Sequence, residues 1–123
     1  MGKTVATNRK ARHDYTVEDS FEAGIVLTGT EIKSVREGSL NLQDAYVRIE
    51  KGEAWLIGTR IAPWPGGNRW NHEPMRDRKL LLHRAQIDQL VGKTKAKSLT
   101  MVPLSMYFNE RGLAMVQVGR VKG

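Results

Sequence analysis

The residues able to do chemistry in this chain are mostly cations. Twenty Lys and Arg stand against thirteen Asp and Glu, a formal net charge of +7 on 123 residues. Both side chains bind phosphate, and a surplus of this size in a small domain points to a polyanionic partner such as RNA, DNA or an anionic membrane surface. Lys3, Arg9, Lys10 and Arg12 precede the first acid, Asp14, and a second basic stretch starts at Arg76 and runs to Lys97. Trp64 and Trp70 flank Arg69, and exposed indoles beside a guanidinium can stack on unpaired bases, although Trp64 better suits packing back on the fold. His13, His72 and His83 are the candidates for acid–base work, as in a ribonuclease that pairs two of them. They are far apart in sequence, and a chain without cysteine has no zinc pattern, no disulfide and no thiolate nucleophile. Beside the Leu80–Leu82 run, His83 also reads as a partly buried, hydrogen-bonded side chain. Gly92-Lys93-Thr94 resembles the end of a phosphate-binding loop, but Ile87 stands where the motif needs its first glycine. No paired-carboxylate spacing and no Ser/His/Asp order stands out, and no cofactor or metal is expected.

These side chains need a scaffold, and the sequence supplies one of short elements. Tyr15–Phe21 alternates as a strand, and Phe21–Leu27 reads as a mostly buried one. Thr28 and Glu31 form a capping box for a short helix that stops at Gly38, with Ile32 and Val35 on its apolar face and Lys33 and Arg36 outward. Ala45–Ile49 and Ala54–Ile57 make a hairpin about Lys51-Gly52, and Thr59–Ala62 is a further short strand. Residues 63–74 form a long irregular loop, and spacing predicts a helix over 84–96. Leu99–Phe108 is a strand whose Pro103 implies an edge or a bulge. Asn109–Gly112 turns it into Leu113–Val118. The expectation is a mainly β fold: an oligonucleotide-binding-like antiparallel barrel of about six strands with about three short flanking helices. Residues 1–13 are expected to be a basic arm, and 14–123 a single barrel domain. No run approaches the roughly 20 apolar residues of a membrane span, and the N-terminus lacks a signal-peptide core, so a cytoplasmic location with no membrane partner is expected.

Longer words are more specific. Asn8-Arg9-Lys10-Ala11-Arg12-His13-Asp14-Tyr15, Phe21-Glu22-Ala23-Gly24, Gly29-Thr30-Glu31-Ile32-Lys33-Ser34, Asn71-His72-Glu73-Pro74 and Arg78-Lys79-Leu80-Leu81-Leu82-His83 occur in this order. In these the chain resembles the small protein B family, the SsrA-binding (tmRNA-binding) proteins of bacterial trans-translation. The resemblance implies a non-enzymatic barrel that binds the tRNA-like domain of tmRNA and enters stalled ribosomes in place of an anticodon arm. It implies alanyl-tRNA synthetase and elongation factor Tu as indirect partners through tmRNA. The positions matching the family's RNA face are Asn8, His13, Tyr15, Glu22, Lys33 and Leu82, with Lys10, Arg12, Arg36, Arg78 and Lys79 as basic neighbours. For Glu22 the alternative is an internal salt bridge, and for Leu82 plain core. The family's basic tail, which carries its main ribosome contacts, is expected to be missing beyond Gly123, and Arg120 departs from an otherwise apolar ending. Two other functions stay open on residues alone: a structural barrel of a ribosome or other ribonucleoprotein, and a small ribonuclease using His13 with His72 or His83.

Overall fold

The computed structural model describes residues 3–96 and 99–122. Met1, Gly2, Lys97, Ser98 and Gly123 lie outside them, and with them the start of the expected arm, one cation of the second basic stretch and the last residue of the C-terminal segment. In chain order the elements are β1 (Lys3–Thr7), α1 (Arg9–Asp14), β2 (Thr16–Ile25), α2 (Gly29–Arg36), β3 (Leu40–Asn41), β4 (Tyr46–Glu50) and β5 (Glu53–Ile57). Then follow β6 (Arg60–Ile61), a 3-10 turn at Asn68–Trp70, β7 (Arg78–Leu81), α3 (Arg84–Ala96), β8 (Thr100–Phe108) and β9 (Ala114–Lys122).

Seven strands form one antiparallel sheet in the order β1-β8-β9-β2-β7-β5-β4, and β3 pairs with β6 beside it. The sheet curls until β4 lies against β8, so the fold is an open barrel of more strands than the six expected, with helices on its outside. Its core gathers Ile25, Val35, Leu56, Ile61, Leu80, Met106 and Val116. A second cluster, Ala11, Val102, Leu104 and Val121, lies under α1.

The chain 1–13, read from composition as an arm, is ordered on the sheet over its described part. β1 runs along β8 from Lys3 opposite Phe108 to Thr7 opposite Ser105. Asn8 then caps α1: its Oδ1 accepts from the Ala11 N–H at 3.1 Å, and its Nδ2 donates to Pro103 O and Leu42 O. β2 is exposed over Thr16–Ser20, the stretch read as an alternating strand, and inward positions begin at Phe21, Ala23 and Ile25, within the stretch expected to be mostly buried, where Glu22 and Val26 face water. Pro103 is not at an edge, since β8 lies between β1 and β9. Its missing N–H coincides instead with a register shift between Pro103 and Ser105. Opposite, Gly119 makes room for Leu104, whose Cδ1 would lie 2.7 Å from any Cβ at that position.

The hairpin of β4 and β5 turns at Lys51 and Gly52, both with positive φ, as a tight two-residue turn requires. Helix α2 is capped at Glu37 and stopped by Gly38, φ +74°. Its buried face is Glu31, Ser34 and Val35 rather than Ile32 and Val35, and Ser34 Oγ donates to Ala62 O at 2.7 Å. That inward carboxylate fixes how the helix sits and is the first part of the site geometry.

Candidate nucleic-acid interface

Glu31 is fully buried, and three groups answer its charge. The Thr28 N–H donates to Oε1 at 2.8 Å, Arg78 Nε to Oε2 at 2.6 Å, and Arg76 Nη2 to Oε1 at 2.5 Å. Burial alone drives the Glu31 pKa up, but the Arg76, Thr28 and Arg78 donors outweigh it and bring the group down to about 2. Burial lowers the Arg78 pKa, with Glu31 opposing, and the guanidinium stays charged. The remaining Arg78 donors go to the carbonyl oxygens of Thr59, Glu73 and Pro74. Arg78 was expected on the RNA face, and it is instead a fully buried pin that holds α2 and the 63–75 loop to the sheet. The reason is alternation: Arg78 and Leu80 point inward from β7 while Lys79 and Leu81 point out. Asn8 is likewise interior, 4% exposed, with its amide committed to the α1 cap.

The other expected positions fall into three groups. On and beside α1, the side chains of Lys10, Arg12, His13 and Tyr15 are exposed. Lys10 pairs with Asp44 at 2.7 Å, which raises its pKa, and His13 Nδ1 lies 3.1 Å from Asp14. The second group lines a depression of about 560 Å³ between β2, β7, β5 and the start of α3. It brings Glu22, Lys79 and Leu82 together with Glu53, His83 and Arg84. Lys79 Nζ donates to Glu53 at 3.1 Å, and half-buried Leu82 packs against the main core. Glu22 is exposed and, among the described residues, in no ion pair. It stands beside Tyr107, whose hydroxyl is pushed up to about 12 by burial and then by the Glu22 carboxylate. The third group is Lys33 and Arg36, exposed on α2, with the Arg36 guanidinium 5.6 Å over the Phe108 ring.

The histidines do not converge into a site. His72 is held at both nitrogens, Nδ1 by the Thr30 hydroxyl at 2.8 Å and Nε2 by Ile61 O at 2.9 Å. His83, read beside the leucine run as partly buried, is exposed at the rim of the depression, because it lies two residues past the end of β7 at Leu81 rather than in the strand. Among the described residues no three His, Asp or Glu side chains are placed to hold a metal, and no helix is long and apolar enough to cross a membrane.

The family model described as SmpB protein matches residues 5–123. The chain belongs to the SmpB protein family. A relative from Moorella thermoacetica called SsrA-binding protein is 55% identical over 121 residues, 98% of this chain and 78% of that protein. Another of the same name, from Shouchella clausii, is 56% identical over 122 residues, 99% and 78% of the two chains. Among solved structures, one described as "tmRNA-SmpB: a journey to the center of the bacterial ribosome" is similar with a TM-score of 0.79 and 47% identity. That similarity covers 96% of this chain and 82% of the other. Within the family frame, Glu53, Arg84 and Tyr107 are the site neighbours that sequence reading passed over. Glu53 had a signal, as it opens the strand that pairs Trp55 with Lys79. Tyr107 had none, because its approach to Glu22 crosses β9 and joins residues 85 positions apart in sequence.

Proposed function

We propose that this chain binds the tRNA-like domain of tmRNA and brings it to stalled ribosomes for trans-translation, acting in place of a tRNA anticodon arm. The observation that carries the reading is family membership joined to a solved relative described with tmRNA and the bacterial ribosome. The physical chemistry supports it: a +7 chain presents solvent-facing cations in groups around an open barrel, with the exposed Glu22 carboxylate among them. Lys10, Arg12, Lys33, Arg36 and Lys79 supply the phosphate contacts that set affinity and its salt dependence. His13 and Tyr15 supply planes for stacking, Glu22 accepts from base amino or 2′-hydroxyl groups, and Leu82 gives an apolar floor. Asn8 and Arg78 act one layer below, holding α1 and β7 in place. Alanyl-tRNA synthetase and elongation factor Tu are partners only through the charged tmRNA, and the setting is the cytoplasm.

The chain acts without catalysis of its own. A ribonuclease built on His13 and His72 would need a ring free to take and give protons, and both His72 nitrogens are already engaged; for the pair His13 and His83, the first sits on α1 and the second at the rim of the depression, which His13 does not line. The test is a competition titration with labelled tRNA-like domain. Unlabelled tRNA-like domain should displace the label at far lower concentration than ordinary tRNA, and the recovered RNA should be intact. Equal displacement by both RNAs would sink the tmRNA reading, and cleavage would sink the non-enzymatic one.

A further inference from the structure

Among the described residues, the most exposed large apolar side chain is Trp70, at 77%. It lies outside all three groups above. An indole left in water contributes nothing to this fold, yet the backbone around it is pinned. The Trp70 N–H donates to Gly67 O at 2.9 Å. Asn71 accepts from the Trp64 N–H at 2.9 Å and donates to Trp64 O at 2.6 Å. Gly67 sits so close beneath that a Cβ there would stand 2.7 Å from Asn71 Nδ2 and 3.1 Å from Thr30 Cγ2. The next residue, His72, is clamped by Thr30 and Ile61 O. The backbone that carries the indole is therefore held in place, with the ring standing in solvent. Trp64, held in the same loop, is half-buried.

What the loop presents is a plane with a cation on it. The Arg69 guanidinium lies 5.0 Å from the Trp70 ring centroid. Docking through Thr30 places the loop on the α2 face that carries exposed Lys33 one turn further on. Its chain neighbours Asn68, Arg69 and Asn71 are polar, and the nearest other large apolar side chain so exposed along the chain is Met75, five residues on, whereas the core of a protein–protein contact would crowd such an anchor with apolar side chains. An unpaired nucleotide matches the arrangement, with its base on the indole and its phosphate near Arg69 and Lys33.

We infer that Trp70 with Arg69 is a stacking site for one unpaired nucleotide of the bound RNA, and that Lys33 takes an adjoining phosphate. This rests on the RNA-binding reading above and adds to it a subsite on the loop. The experiment titrates the whole chain with the tRNA-like domain of tmRNA and follows tryptophan emission together with a gel-shift affinity. Comparison with Trp70→Phe isolates the Trp70 signal from Trp55 and Trp64. RNA should quench that signal. Trp70→Ala should bind roughly tenfold or more weakly with an unchanged salt slope and melting temperature, because a lost stack releases no counterion. Trp70→Phe should keep most of the affinity. Full affinity in Trp70→Ala with unquenched Trp70 emission overturns the stacking site while leaving tmRNA binding intact. Emission that responds to ribosomal proteins but not to RNA overturns it as well. A wild-type chain that shifts no RNA removes the underlying reading itself.

Discussion

Arg78 and Lys79 are adjacent, both basic and both in the same family-like word, yet their side chains live in different media. Arg78 is fully buried against Glu31, and Lys79 is part-exposed with a solvated partner in Glu53. Arginine is almost never fully buried unless paired, and the family resemblance implied both residues as basic neighbours on the RNA face. The clue was available in the period of two: Arg78 shares its side of β7 with Leu80, and an acid with no solvent role stood ready in the capping box at Glu31. The two alanine variants should therefore behave oppositely. Arg78→Ala leaves a buried carboxylate with fewer donors and should cost roughly 3–5 kcal/mol of stability. Lys79→Ala removes a surface pair worth about 0–1 kcal/mol, so it should melt like the wild type while binding RNA more weakly. Thermal unfolding beside a binding titration reads both. A stable Arg78→Ala would mean that the Glu31 cluster is not what holds β7 and α2 together.

At the scale of elements, local signals were read well and remote ones were not. The α2 cap, the Lys51-Gly52 hairpin, helix α3 and the Asn109–Gly112 turn all depend on neighbours a few residues away, and each is where the sequence placed it. β1 and α1 were missed because what orders them is distant: β8, a hundred residues on, and the carbonyls of Leu42 and Pro103. β9 runs past Val118 because Arg120, which looked out of place in an apolar ending, pairs with Asp19 across from it on β2. The α2 element also carries a pH dependence. The folded pKa of Glu31, about 2, lies below its ordinary 4.5, so its ionised form favours folding. That contribution is complete above the ordinary value and is lost as pH falls from about 4.5 toward 2. Glu31→Gln should be less stable at neutral pH and show a shallower loss of stability across that acid window, followed by circular dichroism. Parallel acid profiles in the two proteins would assign the wild-type slope to other carboxylates.

For the whole molecule, the mainly β class and the polyanionic partner were legible in composition, whereas the distribution of charge over the barrel was not. β8 shows that distribution. Its first half supports α1 through Val102 and Leu104, and its last residue, Phe108, lies under Arg36 of α2. Six residues of strand separate Val102 from Phe108, roughly 20 Å at about 3.3 Å per residue. The strand positions beneath the α1 and α2 cations are thus further apart than the screening length of about 8 Å at physiological salt. They act on RNA as separate phosphate contacts, and variants that remove one from each end should add in free energy. Arg12→Ala and Lys33→Ala should each lower the slope of log affinity against log salt by about one ion, and the double variant by about two. Both residues are exposed, so all three proteins should melt like the wild type. The binding series needs only the tRNA-like domain at several salt concentrations. A double variant no weaker than Lys33→Ala alone would mean that this RNA touches one end of the barrel, and would leave the α1 cations for another polyanion such as the ribosome.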